Sequence, residues 1–314
     1  MNLFEFTYEE CDALFHLVNL KFHNPTHPEA FCQEVKQLSK LVPLRVKHEF
    51  ALFMKSSSVL CCKLPTFIEK VSTPPTNKYH IGETTRLSVI QAILIHLLGD
   101  MISYEAEGNG HLFQDIVPDK AMSNQQTSIG SNTELEIHTE QAFSKLKPDI
   151  ISLACLQGDK DALTYVLPLS SLLEHLTSQE IELLRKPLWY TKVDLSFRLH
   201  GLEFKDGDIR GPIAILQDDV LTFDQDLMTG TTLESIEIIP KLIDIYMKHR
   251  ISHCLQPYEI LFIHNQRAVH GRSRFFPRFD GKDRFLIRCF ASFDLEKSEY
   301  ARTETSRMIQ AIYS

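Results

Sequence analysis

Residues 135–140 read Leu-Glu-Ile-His-Thr-Glu, a short apolar alternation that ends in an imidazole and a carboxylate two residues apart. In an extended strand, side chains at i and i+2 point to the same side. His138 and Glu140 can therefore converge on one point while Thr139 faces away. An imidazole nitrogen and a carboxylate oxygen suit a first-row divalent metal. The pair alone is a small signal, because His-x-Glu also arises by chance on surface strands. Oxidative chemistry asks for a third ligand, so that one face of the metal is held and the other stays open for cosubstrate and oxygen.

Six downstream histidines are candidates: His175, His200, His249, His253, His264 and His270. His249 and His253 stand at i, i+4 after a helix-like run, and such a pair is more often simply solvated than metal-bound. His270 lies in Asn265-Gln266-Arg267-Ala268-Val269-His270-Gly271-Arg272, close after the strand-like run Ile260–Ile263. Gly271 would permit close backbone approach or positive φ. Arg284 follows fourteen residues later (284 − 270), and Arg288 lies at i+4 from it in Arg-Phe-Leu-Ile-Arg. Even spacing puts both arginines on one face of a strand. Turned inward they would need anions, since a buried guanidinium without a partner is costly. A dicarboxylic cosubstrate and a carboxylate-bearing substrate would supply them, as would ordinary salt bridges.

The elements that must position these groups change character along the chain. Thr7 and Glu10 suit a capping box for a helix over 7–22. Residues 28–41 read as a second helix with Pro28 in its first turn. Residues 44–70 are mixed. A helix begins near Thr84–Thr85, and Leu87, Ile90, Leu94, Leu97, Leu98 and Met101 form a 3.6-residue stripe. Beyond about residue 111 the apolar runs shorten and carry Val, Ile, Phe and Thr. Strands are expected at 111–117, 134–140, 151–156, 162–167, 212–217, 220–223, 259–263, 267–270 and 284–293. Helices are expected at 169–184 and 232–249, with Pro240 kinking the second or starting its main part. Residues 198–211 are polar with three glycines, which suggests a mobile loop. Helices first and many short strands after favour a barrel or jelly roll flanked by helices over a βαβ fold.

Bulk composition fits this picture. A chain of 314 residues with 43% hydrophobic and 24% charged residues has material for a real core. A net charge of −8 argues against a nucleic-acid partner or an anionic membrane surface. No run of about 20 apolar residues is present to span a bilayer. The N-terminus lacks the basic and apolar regions of a signal peptide. Seven cysteines without framework spacing fit a reducing, cytoplasmic setting. The oligomeric state is left open.

Three blocks then carry a resemblance: His138-Thr139-Glu140-Gln141-Ala142-Phe143; Lys147–Ile150 with Leu153–Leu156; and Asn265–Phe290. Together they resemble the clavaminate synthase-like branch of the Fe(II)/2-oxoglutarate dioxygenases, over roughly residues 85–314. That branch includes hydroxylases of free arginine, asparagine and lysine. The resemblance implies a mainly β fold with flanking helices, the double-stranded β-helix or cupin-like jelly roll. It implies a single catalytic domain, with residues 1–103 mainly helical and 104–314 forming the jelly-roll core with a lid loop near 198–211. His138, Glu140 and His270 match the family's iron ligands. Arg284 matches the arginine that binds the far carboxylate of 2-oxoglutarate, and Thr164 the threonine beside it, unless it is plain strand filler. Arg288 resembles the arginine that holds a substrate α-carboxylate. Asp224 and Asp226 sit where members read the substrate side chain, or else form a solvated turn. Glu107 lies near the substrate-amine contact, where many members have glutamine. Ser131 matches a Gly-Ser ahead of the metal strand. Gln157 departs from the family's Cys-Leu-Arg.

The implied activity uses Fe(II), 2-oxoglutarate and O2 to hydroxylate an unactivated C–H of a free amino acid, with succinate and CO2 as coproducts. The paired aspartates favour a basic substrate, arginine or lysine. Glu140 argues against halogenation, which needs that metal position open. Desaturation, a carrier-tethered or peptide-borne substrate, and a non-catalytic sensor are the rival readings.

Overall fold

The computed structural model describes residues 2–20, 23–65, 69–195, 197, 208–303 and 306–313. Strand β1 (Asn2–Glu5) leads into helix α1 (Tyr8–Val18). The Thr7 side chain accepts from the Glu10 N–H and the Glu10 carboxylate from the Thr7 N–H, so the capping box is formed. Helix α2 (Pro28–Ser39) opens on its proline. The mixed stretch after it divides into helix α3 (Leu44–Ser56) and strand β2 (Val59–Lys63).

Helix α4 (Arg86–Ile95) is capped by Thr85 and is shorter than its stripe suggests. Every residue from Leu87 to Ile95 is buried, so the helix is apolar all round and has no polar face to mark its end. Leu97 and Leu98 lie in the following turn, and Met101 belongs to the next strand.

The chain continues through β3 (Asp100–Tyr104), β4 (Gln114–Ile116), β5 (Leu135–His138), β6 (Ile150–Gln157) and β7 (Thr164–Pro168). Two short helices, α5 (Leu169–Leu173) and α6 (Ser178–Leu184), replace the single helix expected over 169–184. Thr177 and Glu180 form a capping box that restarts the second. Then come β8 (Trp189–Lys192), β9 (Ile209–Ile213), β10 (Leu216–Gln217), β11 (Val220–Leu221) and β12 (Met228–Gly230). Of the polar stretch 198–211, residues 198–207, with the candidate His200, lie outside the described residues. Its end is strand rather than loop, because β9 pairs with β8. The helix Leu233–His249 runs unbroken through Pro240. Strands β13 (Ile251–His253), β14 (Glu259–His264), β15 (Ala268–Arg272), β16 (Phe285–Ser292) and β17 (Met308–Ile309) complete the order.

Among the described residues, the major sheet has the order β1-β2-β14-β6-β16-β3-β17, with β4 also paired to β16. A four-stranded antiparallel sheet, β13-β7-β15-β5, faces it. This is the jelly roll with flanking helices, and the first hundred residues also add two whole strands, β1 and β2, to its major sheet. Alternate residues of the major strands serve two cores. Cys62, Ile260 and Phe262 pack with α1 to α4 on the outer side, while Cys61, Leu261 and Ile263 face inward with Val166 of the minor sheet. Both faces are covered, which is why β14 and β16 read as continuous apolar runs. The outer face of the minor sheet packs against the helix Leu233–His249 through Ile137, Tyr165 and Val269. No described helix is long and apolar enough to cross a membrane.

Candidate active site

His138 ends β5 and pairs directly with His270 of β15. Residues directly opposite on antiparallel strands project to the same side. The two rings stand 4.3 Å apart between centroids. Gly271 makes this possible through close approach, not positive φ. A Cβ there would meet the Leu135 carbonyl and the Tyr246 hydroxyl at 2.6 Å. Glu140 follows β5 and is pinned by its backbone. Its N–H donates to Asn265 Oδ1 at 2.8 Å, and Asn265 Nδ2 donates to the Glu140 carbonyl at 3.1 Å and the Pro148 carbonyl at 2.7 Å. Thr139 faces away, as expected, with its N–H on the Phe223 carbonyl.

Donor atoms of His138, Glu140 and His270 all lie within 4.8 Å of one another, and His270 Nε2 is 3.6 Å from Glu140 Oε2. The set fits iron(II) by chemistry and by tautomer. His138 Nδ1 donates to the Glu136 carbonyl at 2.7 Å, and a carbonyl can only accept. The proton is therefore on Nδ1 and the Nε2 lone pair is left for the metal. Burial, then the neighbouring His270, pushes the His138 pKa down and keeps it neutral. Burial would raise the Glu140 pKa, but Arg288 and then the His270 side chain hold it at about 2. The carboxylate is ionised throughout the physiological range.

The two arginines have separate fates. Arg288 has its anions within the chain. It donates from Nε to Gln114 at 3.0 Å, from Nη1 to Glu140 at 3.1 Å, and from Nη2 to Gln114 and to Glu107. Glu107 is braced in turn by Gln141 Nε2 at 3.0 Å. Arg284 is different. It is 6% exposed, and among the described residues its guanidinium has no hydrogen bond or ion pair. Burial pushes it down to about 10. Thr164 is also buried, and its hydroxyl has no partner. A buried cation without an ion-pair partner and an orphaned hydroxyl lining one cavity fit a carboxylate such as the far end of 2-oxoglutarate.

That cavity, about 920 Å³, is lined by the three metal-ligand candidates, Thr164, Arg284, Arg288 and Glu107. It is large enough for a dicarboxylate and an amino acid together. Asp224 and Asp226 line it too, Asp224 buried and Asp226 exposed at its rim. Asp224 Oδ1 accepts from the Leu227 N–H at 2.9 Å, and burial raises its pKa to about 6. Asp194 is a further lining carboxylate that the sequence reading missed. Its pKa is held well above the ordinary range by burial and then by Asp224, Glu107 and Glu140. An isolated Asp before a polar stretch offers no pattern; only the fold brings it here.

Ser131 is not among the cavity-lining residues. It is fully buried, its N–H donates to the Ser123 carbonyl, and it holds the loop ahead of β5. Gln157 Nε2 donates to the Val71 carbonyl at 2.6 Å and ties down a surface segment. His249 and His253 do not act as a pair: His249 stacks on His175 at 3.8 Å, and His253 meets Glu259.

No family model matches the chain. It is 46% identical over 292 residues to an L-lysine 3-hydroxylase of Catenulispora acidiphila, covering 90% of this chain and 82% of that protein. It is 30% identical over 279 residues to an L-asparagine oxygenase of Streptomyces coelicolor, covering 83% and 79%. A solved structure of asparagine oxygenase with Fe(II), (2S,3S)-3-hydroxyasparagine and succinate shares its fold, with a TM-score of 0.90 at 24% identity over 99% of both chains.

Proposed function

The chain belongs to the Fe(II)/2-oxoglutarate-dependent amino-acid oxygenases, and from that premise we propose that it hydroxylates C3 of free L-lysine. The observation that carries the substrate reading is the acidic lining of the cavity. Glu136, Asp194, Asp224 and Asp226 face it, and none has an ion-pair partner among the described residues. A terminal ammonium would be the natural counter-charge. The 46% identity to an L-lysine 3-hydroxylase supports the same choice.

When bound, iron with 2-oxoglutarate and O2 supplies the oxidative decarboxylation to succinate and CO2 and the insertion of oxygen into a C–H bond. The chain's own residues do the positioning. His138, Glu140 and His270 would hold the metal. Arg284 and Thr164 would take the far carboxylate of 2-oxoglutarate. Arg288 locks Glu140 and Glu107. Four of its five N–H donors are engaged, leaving one on Nη1 for a substrate carboxylate. Glu107, held by Gln141, would receive the substrate α-ammonium. With the α-end fixed there and the side-chain ammonium among the aspartates, one carbon is presented to the metal.

All 314 residues form one catalytic unit in this reading, since α1 to α4 share a core with the major sheet. The seven cysteines, all free thiols, support a cytoplasmic setting. The test is turnover of L-lysine against its uncharged isostere L-norleucine, with L-arginine, L-ornithine and L-asparagine alongside. Lysine should give a C3 alcohol by NMR with matching succinate. Equal kcat/KM for norleucine or asparagine would sink the substrate reading.

A further inference from the structure

A second group of three donor side chains lies away from the cavity. Strand β2 runs antiparallel to β14 with Cys61 opposite Leu261 and Lys63 opposite Glu259. Cys61 and Glu259 are thus diagonal neighbours on the inward face of the major sheet. Both are fully buried, at 0% and 2% exposure. His253 comes from β13, at the edge of the opposite sheet, and is partly open to solvent. Its Nε2 is 2.7 Å from Glu259 Oε2 and 3.8 Å from Cys61 Sγ. The three donor atoms lie within 4.8 Å of one another.

We propose that Cys61, His253 and Glu259 form a second divalent-cation site, selective for Zn2+ and separate from the iron ligands. The donor set is what distinguishes it. One sulfur, one imidazole nitrogen and one carboxylate oxygen suit a borderline-soft cation, whereas two imidazoles and a carboxylate suit iron(II). Donors at about 2.0–2.3 Å from a tetrahedral Zn2+ stand roughly 3.3–3.8 Å apart. The sulfur–nitrogen separation is already in that range. The His253–Glu259 contact is a hydrogen bond that would open by about half an ångström or more as the cation replaces the shared proton. Glu259 has its orienting partner in place, because its Oε2 accepts from the Gln256 N–H at 2.9 Å. The solvent-facing side of His253 provides an entry path and leaves the fourth position to water. Binding releases the thiol proton of Cys61 to solvent and moves the His253 ring proton from Nε2 to Nδ1, so the thiolate and the Nε2 lone pair become ligands.

The placement gives the site a consequence. His253 pairs directly with Thr164 across β13 and β7. A cation bound there would tie β2 and β14 of one sheet to the strand beside the wall that presents Thr164. None of its three ligands lines the active-site cavity, so the two sites share no residue.

Co2+ serves as the probe, because sulfur–cobalt bonds give an intense near-ultraviolet charge-transfer band and the iron ligands contain no sulfur. Titration of the metal-free full chain should saturate at two equivalents, one of which produces the band, and Zn2+ should displace that one. His270→Ala should keep the band and lose the other equivalent. Cys61→Ser should do the reverse, and His253→Ala, a milder change at a partly exposed position, should also lose the band. Zn2+ should raise the Tm of His270→Ala but not that of His270→Ala with His253→Ala. Absence of the band in the parent chain, or its survival in both Cys61→Ser and His253→Ala, overturns the proposal and leaves His253–Glu259 a plain ion pair.

Discussion

Replacing Arg284 by Met should have opposite effects on the empty and the loaded protein. Methionine keeps much of the length and removes the charge. In the empty protein the guanidinium is buried, and among the described residues it has the Phe275 ring at 6.0 Å but no hydrogen bond or ion pair. Its pKa falls from 12.5 to about 10, which corresponds to a penalty on the charged form of about 3 kcal/mol. Removing it should therefore raise the stability of the metal-free protein, by about 1–3 kcal/mol once imperfect packing is allowed for. In the loaded protein, on the proposed role, the same charge would meet a carboxylate. Losing one partner of a buried, hydrogen-bonded charge pair costs about 2–5 kcal/mol, a roughly 30- to several-thousand-fold weaker affinity for 2-oxoglutarate. Thr164→Val removes only a neutral donor and should weaken binding about tenfold. Denaturant unfolding of the metal-free protein measures the first effect. Titration of 2-oxoglutarate into the anaerobic Fe(II) protein measures the second. The reasoning fails if Arg284→Met is less stable than the parent and binds 2-oxoglutarate with unchanged affinity.

Asp224→Asn should lower kcat/KM for L-lysine by tenfold or more and leave a neutral amino acid nearly unaffected; equal losses would mean that Asp224 does not read charge. Asn265→Ala frees the Glu140 backbone at two hydrogen bonds and should weaken Fe(II) binding about 10- to 100-fold, checked by metal titration. Buried His96 and His264 are each held near pKa 4 by burial, below the ordinary 6.5. The unfolded chain binds those protons more readily, so the stability from each is present above pH 6.5 and lost as pH falls toward 4, at most about 3 kcal/mol per histidine. His96→Gln should flatten, but not abolish, the fall in denaturant midpoint between pH 6.5 and 4; an unchanged slope would remove His96 from this account.

The proposed metal ligands were legible because their spacing is local. His138 and Glu140 stand at i+2, the first ending β5 and the second just beyond it, and His270 sits in a motif with Arg284 fourteen residues on (284 − 270). The jelly roll followed from the short β-branched runs and the motif blocks. What stayed hidden depended on contacts between distant segments. The need of Arg288 for an anion was readable, but not that Glu107 and Glu140 would meet it across two sheets. Strand β2 carries Cys61 and Cys62 to opposite cores, so it shows no alternation until β14 is beside it. Residue Met101 looked like one more turn of α4, because a helix buried on all sides has the same composition as the buried strand that follows. Asp194 carried no spacing signal at all.

The most direct test of the central claim is the visible metal-to-2-oxoglutarate charge-transfer band of the anaerobic Fe(II) protein, recorded before and after addition of L-lysine. The account predicts a band that forms with 2-oxoglutarate, shifts when lysine docks beside the metal, and is absent from His270→Ala. A parent protein with iron fully bound and no band, or a band unchanged in His270→Ala, would contradict it.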